Sequence, residues 1–277
     1  MVSRLPSFLK ISELILVKGE INMAIQVQVD KHVAKVTIDR QEAMNALNRE
    51  TLTLLQEAIH QINERDDVRV VLFLGAGVKS FIAGADIAEM ASLDPIQGHG
   101  TAELGQSVFN DIANIKCPTI AVIQGYALGG GCELSLACDC RIASEKAKFG
   151  QPEVGLGIIP GFGGTQRLAR LVGPGHAKHM IFTGEIISAA QAFTIGLVDQ
   201  LVPPDQLMEQ AEKLAQSICT KSPNAVRMAK EAIDQGLMGT LSEGMRLEAG
   251  LFGLCFASSE QKEGMSAFLE KRTASFE

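Results

Sequence analysis

The length, composition and charge of the chain exclude several classes of protein. Its 277 residues suffice for one large domain with an appendage, and 46% hydrophobic with 21% charged residues is ordinary for a globular protein. The formal net charge of −7 argues against nucleic acid as the main partner. No apolar run reaches the roughly 18–20 residues of a membrane span. We therefore expect no nucleic acid and no membrane among the partners.

The first 22 residues differ in pattern from those that follow. Ser12 and Glu13 interrupt a short apolar stretch, and no small-residue cleavage pattern follows it. The Lys-Gly-Glu triplet at 18–20 is what a purine-rich ribosome-binding site would encode, and it lies just upstream of Met23. We expect residues 1–22 to be an N-terminal extension, and Met23 is an alternative native start.

The apolar pattern predicts an α/β core from 23 to 200 and a helical C-terminal region from 201 to 277. Strands are predicted at 25–29, 33–38, 68–74, 119–124 and 141–143. Helices are predicted at 48–65, 102–115, 188–195, 205–219, 223–235, 241–256 and 259–269, and another begins at Gly129–Gly131. Residues 88–105 are small, polar and interrupted by glycine and proline, which predicts a mobile loop.

The six cysteines are scattered and most lie in apolar stretches. This pattern favours buried, reduced thiols in a cytoplasmic protein. Cys138 and Cys140 are spaced like half of a metal site, but no second Cys/His pair stands at ligand spacing. We therefore expect no metal site.

Two glutamates stand at the edges of turn-rich apolar segments. Glu133 ends the glycine-rich stretch 125–133, and Glu153 follows 20 positions later. Glycines 129–131 carry no Cβ, so the backbone there can approach a ligand closely. Backbone N–H donors beside two carboxylates suit a reaction that builds negative charge on a carbonyl oxygen while moving a proton and a water.

A series of further motifs runs along the chain. They are Ala43-Met-Asn-Ala-Leu47, Ala83-Gly-Ala-Asp86, Gly125 to Glu133, Gln151-Pro-Glu153, Ile159-Pro-Gly161, Gly163-Gly-Thr-Gln-Arg167, Thr183-Gly-Glu185, Gly196-Leu-Val-Asp199 and Glu263 to Lys271. From about Val29 to the C-terminus, the chain resembles the enoyl-CoA hydratase/isomerase (crotonase) family, and most closely its short-chain enoyl-CoA hydratases.

The resemblance implies a crotonase-type spiral of ββα repeats with a C-terminal helical trimerisation region, in which two trimers commonly form a homohexamer. It also implies an acyl-CoA thioester as substrate, with no metal and no redox cofactor. The reaction it implies is reversible addition of water to a short-chain trans-2-enoyl-CoA.

Site residues follow from the same resemblance. The backbone N–H groups of Ala85 and Gly130 would form an oxyanion hole, with the positive end of the helix that begins there aimed at the same oxygen. Glu133 would activate the water and Glu153 would exchange a proton at C2, although the two carboxyls titrate as a unit. Further substrate and CoA contacts would come from Ala43, Met44, Ala46, Ala83, Gly84, Asp86, Ile87, Ala88, Gly129, Gly161 and Lys271.

Some positions depart from the family pattern or allow a structural interpretation. Ala88 stands where many relatives carry a lysine, so we expect Lys271, from this or a neighbouring subunit, to supply the basic contact to CoA. Asp86 is expected to cap the helix at 87–90. Gln166 and Arg167 are expected to form a structural hydrogen-bonding pair.

Other functions of this family stay open. Double-bond isomerisation often uses one acid, so the presence of both Glu133 and Glu153 favours hydration. Hydration of a methylglutaconyl-type CoA fits both glutamates equally and would need a basic residue in the acyl pocket. An RNA-binding relative would need a lysine-rich helix, whereas the predicted helix 102–115 carries only two charged residues, both acidic, before Lys116.

Overall fold

The strands form two sheets in the computed structural model, which describes residues 24–276. The six-stranded sheet has the order β1 (Ile25–Asp30), β2 (Val33–Ile38), β3 (Val70–Gly75), β5 (Thr119–Ile123), β7 (Cys140–Ser144) and β10 (Gln200–Val202). The four-stranded sheet has the order β4 (Ser80–Ile82), β6 (Tyr126–Leu128), β8 (Lys148–Gly150) and β9 (Ile187–Ser188). The hypotheses about residues 1–22 and Met23 lie outside the described residues.

The helices lie between these strands along the chain and after the last of them. They are α1 (Arg49–Asn63), α2 (Ile87–Met90), α3 (Pro95–Ala113), α4 (Gly130–Ala137), α5 (Gly164–Thr183), α6 (Ala189–Thr194), α7 (Leu207–Cys219), α8 (Pro223–Gly236), α9 (Leu241–Cys255) and α10 (Ser259–Glu270). Short 3-10 helices span Gln41–Ala43, Pro152–Leu156 and Pro204–Gln206.

The chain repeats one structural unit as it crosses between the sheets. β3, β5 and β7 lie in order in the large sheet, and the strand after each of them, β4, β6 and β8, lies in order in the small sheet. Neighbouring strands within each set are parallel. Because each turn adds one strand to each sheet and then a helix, the turns stack as the expected spiral of ββα repeats.

The large sheet is covered on both faces, which explains its continuous apolar strands. One face packs in the main core with α1, α3, α4 and α5. The other packs against α7, whose buried side chains meet Val33, Val70 and Leu72. Strand β10 begins at Gln200, at the boundary predicted between the core and the C-terminal region, and it pairs with β7 in parallel. Thus α7 shares its apolar core with the central sheet.

The prediction of a mobile loop at 88–105 was wrong. Helix α3 begins at Pro95, seven residues earlier than expected, because Asp94 accepts from the N–H of Gln97 and the Gln97 side chain accepts from the N–H of Asp94. This reciprocal capping box and a proline at the first helical position stabilise the helix start. They outweigh the low helix propensity of the glycines in the first two turns.

Helices α8, α9 and α10 leave many apolar side chains exposed. Leu237, Leu241, Phe268 and Leu269 each expose about four fifths of their surface. No helix between residues 24 and 276 is long and apolar enough to cross a membrane.

Candidate active site

Glu133 lies in the first turn of α4, directly after the small sheet. Strand β6 ends at Leu128, and Gly129 turns the chain into the helix with φ 49° and ψ −121°. A side chain is strongly disfavoured at such angles, so glycine is needed at this turn. The turn leaves Glu133 inside the protein with 2% of its surface exposed.

The Glu133 carboxylate is held by the backbone of a neighbouring loop. Its Oε1 atom accepts from the N–H of Phe162 at 2.8 Å and from the N–H of Gly164 at 2.7 Å. The pKa of Glu133 is raised to about 7, mainly by burial and also by the charge of Glu153, while the two N–H groups oppose the rise. The carboxyl can therefore gain or lose a proton near neutral pH.

Glu153 faces the same turn from the short helix Pro152–Leu156. Its Oε1 atom lies 2.6 Å from the point that a Cβ on Gly129 would occupy. Burial raises the pKa of Glu153 to about 7. The structure therefore brings together two carboxyls with similar, raised pKa values.

Gln151 is a site residue that the sequence reasoning missed. Its side chain is fully buried beside Glu153. With the amide nitrogen oriented toward the carboxylate, as its surroundings require, it donates to the two oxygens at 3.0 and 3.1 Å. Its place two residues before Glu153 was the available signal, because a polar side chain at the end of a buried strand must find a partner.

The backbone nitrogen of Ala85 lies close to Gly130, the first residue of α4. Ala85 follows β4 and bridges to Leu47, and a Cβ on Gly130 would lie 3.6 Å from the Ala85 nitrogen. Within residues 24–276, neither the Ala85 nor the Gly130 N–H donates to another backbone group. The start of a helix also leaves its first N–H groups without partners inside the helix. The pair is thus placed to bind an anionic oxygen.

Asp86 does not cap α2, contrary to our expectation. It stands at the N-cap position, but its side chain makes no capping hydrogen bond. Its carboxylate accepts instead from Nη2 of Arg40 at 3.2 Å. The arginine also donates to the Ala46 carbonyl. A charged partner competes better than a backbone N–H for the carboxylate, so Asp86 ties the Ala83–Asp86 segment to the first motif.

Arg167 and Gln166 do not bond to each other, so the predicted pair was wrong. Arg167 donates to the Phe162 carbonyl at 3.1 Å and to Asn110 Oδ1 at 2.6 Å. Gln166 accepts from Arg170 one helical turn later. Neighbouring residues on a helix point in different directions, which explains the separation.

A cavity of about 1190 Å³ opens in front of the two glutamates. It exceeds the usual volume of a small-molecule pocket, which is about 300–1,000 Å³, and so suits a long ligand. Of the predicted site residues, its lining includes Ala83, Gly84, Ala85, Ile87, Gly129, Gly130, Glu133, Glu153 and Gly161. It does not include Ala43, Met44, Ala46, Asp86, Ala88 or Lys271.

The cavity also has a lining that the sequence did not identify. Apolar side chains come from Leu156, Ile158, Ile159 and Phe162, and Met238 lies at the turn between α8 and α9. Met90, Leu93 and the first two turns of α3 line it from the other side.

Between residues 24 and 276, no group of three or more His, Cys, Asp or Glu residues is arranged to hold a metal ion.

The spiral of ββα repeats, with two glutamates whose pKa values are raised to about 7 beside the N–H groups of Ala85 and Gly130, defines a site suited to acid–base chemistry on a carbonyl compound. Comparisons with known proteins agree. The profile of the family described as Enoyl-CoA hydratase/isomerase matches residues 28–277. The chain belongs to this family, and it is an enzyme of the hydro-lyase class.

Individual relatives cover nearly the whole chain. A crotonyl-CoA hydratase of Syntrophomonas wolfei is 49% identical over 91% of this chain and 97% of its own. A short-chain-enoyl-CoA hydratase of Clostridium acetobutylicum is 47% identical over the same shares. The crystal structure of an enoyl-CoA hydratase from Bacillus anthracis superposes with a TM-score of 0.89 at 43% identity, covering 91% of this chain and 98% of that one. These likenesses confirm the crotonase fold.

Proposed function

We propose that this enzyme adds water reversibly to short-chain trans-2-enoyl-CoA thioesters and yields the 3-hydroxyacyl-CoA. The observation that carries the proposal is the convergence of Glu133, Glu153 and the free N–H groups of Ala85 and Gly130 on one cavity. The names of the bacterial relatives with 47–49% identity support the substrate class.

In the proposed mechanism, the thioester oxygen accepts from the N–H groups of Ala85 and Gly130. Water addition at C3 moves electron density onto this oxygen, and each fixed donor contributes about 3 kcal/mol to stabilising it. The N-terminal end of α4 adds a favourable field. The Ala85–Gly130 proximity supports this role, because both donors can reach a single oxygen.

The two carboxyls divide the proton transfers. Glu133 takes a proton from the attacking water and Glu153 delivers one to C2. The raised pKa values support this, because a group that titrates near the working pH can both accept and donate. Gln151 holds the Glu153 carboxylate in place. Since the two carboxyls titrate as a unit, we assign the two proton transfers to the pair, and the division between Glu133 and Glu153 follows from that assignment.

The experiment follows the loss of the conjugated enoyl-thioester absorbance with crotonyl-CoA. We expect rapid loss with the wild type, and rates about 10²–10⁴-fold lower for Glu133→Gln and for Glu153→Gln. Glu145→Gln is the matched control, because Glu145 is exposed and does not line the cavity. An inactive wild type would refute the proposed substrate, and full activity in either glutamine variant would refute the role of that glutamate.

One observation favours testing a second substrate. Arg167 and Arg170 line the cavity, and hydration of a methylglutaconyl-type CoA would need such a basic group for its extra carboxylate. Arg167 donates through both of its Nη atoms, to Phe162 and Asn110, whereas the bonds of Arg170 to Gln166 use Nη1 alone, which makes Arg170 the candidate. A higher kcat/KM with 3-methylglutaconyl-CoA than with crotonyl-CoA, lost in Arg170→Ala, would establish this alternative.

We also propose contacts for the CoA part that the cavity lining leaves open. Ala43, Met44 and Ala46 belong to the first motif, Asp86 and Ala88 lie at the start of α2, and Lys271 directly follows α10. Met44 supports the assignment because its carbonyl accepts from the N–H of Ala83. A contact of Lys271 with a CoA phosphate predicts a raised KM and an unchanged kcat in Lys271→Ala.

The C-terminal helices support a proposed homotrimer, or a homohexamer made of two trimers. Their exposed apolar side chains, Phe252, Phe268 and Leu269 among them, are of the kind that an obligate interface buries. Sedimentation velocity should give a species of three or six 29.6 kDa chains. A monomer at micromolar concentration would refute the assembly.

We propose that the reaction needs no cofactor and takes place in the cytoplasm. Water addition to a conjugated thioester is redox-neutral, and the groups named above supply both proton transfers. The cysteines are free, which suits a reducing compartment. Activity should survive dialysis against EDTA, and a loss that Mg²⁺ or Zn²⁺ restores would contradict this proposal.

A further inference from the structure

Phe162 occupies a closely fitted position between two helices that line the cavity. Its ring lies edge-to-face on Phe109 of α3, with 5.6 Å between centroids and 89° between planes. On the other side, its ring atoms lie 3.3–3.4 Å from the point that a Cβ on Gly130 would occupy. Only 5% of Phe162 is exposed. The ring therefore fills the space between α3 and the start of α4.

The Phe162 ring also packs against residue 105, and it fits there only because this residue is a glycine. A Cβ on Gly105 would lie 2.2 Å from Cδ1 of Phe162 and 2.5 Å from Cγ and Cε1. Real Cβ atoms do not approach ring carbons this closely, so an alanine at 105 would displace the ring. We call the surface formed by Gly105, Phe109 and Gly130 the Phe162 seat.

The backbone of Phe162 is part of the candidate site. Its N–H donates to Oε1 of Glu133 at 2.8 Å, and the N–H of Gly164 donates to the same oxygen at 2.7 Å. Helix α3 holds this loop at a second point, because Gln106 donates to the Gly161 carbonyl at 2.9 Å. A displacement of the ring that carries the Phe162 backbone with it would move the two donors that orient Glu133.

We propose that Phe162, through the Phe162 seat, is a positioning residue for Glu133, and that the absence of a side chain at Gly105 is a requirement of the reaction. The inference rests on the proposed role of Glu133. It assigns to α3 a function beyond lining the cavity, because one face of the helix fixes the direction of a carboxylate on α4.

The test compares four variants in the crotonyl-CoA assay over a range of pH. Gly105→Ala should lower kcat about 10–100-fold and change KM less than about threefold, because a misdirected Glu133 affects the chemical step more than binding. Losing the two N–H donors should also raise the pKa of Glu133. The acidic limb of the kcat/KM profile should therefore move to higher pH.

Gly100→Ala is the matched control on the same helix. A Cβ there meets no atom within 4 Å, and Gly100 does not line the cavity. This variant should keep the wild-type kcat and pH profile. A similar loss in both glycine variants would mean that helix α3 is sensitive to any alanine, and it would overturn the proposal.

The Phe162→Ala and Gly105→Ala/Phe162→Ala variants complete a double-mutant cycle. Without the ring there is nothing for the new methyl group to meet, so Gly105→Ala should have little effect in the Phe162→Ala background. If Gly105→Ala alone fails to fold, the double variant still tests the proposal, because it carries the same methyl group without the ring that this group would meet. A double variant that loses the product of the two single losses would overturn the proposal.

A crystal structure of Gly105→Ala gives a readout independent of turnover. The distance between the Phe162 nitrogen and Oε1 of Glu133 should exceed hydrogen-bonding range. A distance that stays near 2.8 Å would overturn the inference. An inactive wild type, by contrast, would refute the proposed substrate and leave this distance as the deciding measurement.

Discussion

Gly129 leaves open the space that the carboxylate of Glu153 occupies, since Oε1 of Glu153 lies 2.6 Å from the missing Cβ of Gly129. The glycine also has φ 49° and ψ −121°, which side chains rarely adopt. One residue thus turns the chain into α4 and admits the second carboxyl. The two glutamates can share a site because of this glycine.

This relationship predicts a large effect of a single methyl group. Gly129→Ala should lower kcat at least about 10²-fold, because Glu153 must leave its position or the turn must change. Steady-state kinetics with crotonyl-CoA measure this loss. Gly155→Ala, in the same short helix as Glu153, is the control, because a Cβ there meets nothing within 4 Å. Equal activity of the two variants would contradict the prediction.

The raised pKa of Glu133 predicts a pH-dependent stability. A carboxyl whose pKa is raised in the folded state loses stability as pH rises, because the unfolded chain releases the proton first. The loss begins above the ordinary pKa of 4.5 and is complete above about 7. Glu133→Gln removes this loss. Relative to the wild type, its free energy of unfolding should therefore rise by about 1–3 kcal/mol between pH 5 and pH 8.

Urea unfolding at both pH values, at one fixed protein concentration, measures this difference. Glu145→Gln should show no such change with pH, because the Glu145 side chain is exposed. A difference between Glu133→Gln and wild type that stays constant from pH 5 to pH 8 would show that Glu133 titrates at its ordinary pKa.

Asn45 is expected to be a major source of local stability. It is 1% exposed, has φ 61°, and its amide donates to the carbonyls of Ala76, Ser80 and Phe81 at 2.9–3.2 Å. Asn45→Ala would remove three hydrogen bonds to backbone carbonyls and place alanine in a left-handed conformation. We expect a loss of about 3 kcal/mol in the free energy of unfolding.

Chemical denaturation tests this value against Asn224→Ala. Asn224 is exposed and bonds to Glu260 at the surface, so its removal should change stability by less than about 0.5 kcal/mol. Equal effects of the two substitutions would mean that the buried amide of Asn45 is not needed to hold the loop before Ala83.

The buried thiols should be chemically inert in the native protein. Burial raises the pKa of Cys132 and Cys138 well above the usual range and that of Cys117 to about 11. Because the thiolate is the reactive form, mass mapping after alkylation at pH 8 should find them unmodified. Cys255 is half-buried and serves as the internal comparison. Equal labelling of Cys132 and Cys255 would contradict the prediction.

The sequence by itself predicted most of the longer helices and strands and identified the family. Alternation predicted the β1–β2 hairpin, solid apolar runs predicted strands buried on both faces, and the motifs identified the family and both glutamates. These properties depend on residue types at fixed spacing, which a sequence displays directly. The capping box at Asp94 was visible as well, although the glycines after it led us to predict a loop.

Only the tertiary structure decided how the site is supported. Three contacts show this: Gln151 lies beside Glu153, Arg40 donates to Asp86, and Phe162 packs in the Phe162 seat. Sequence spacing reveals neither which residues meet in space nor where their side chains point. The raised pKa values also follow from burial, which depends on packing by the whole chain. Short sequence motifs therefore reveal which residues are at the site, whereas the fold decides how these residues are oriented and how tightly they hold a proton.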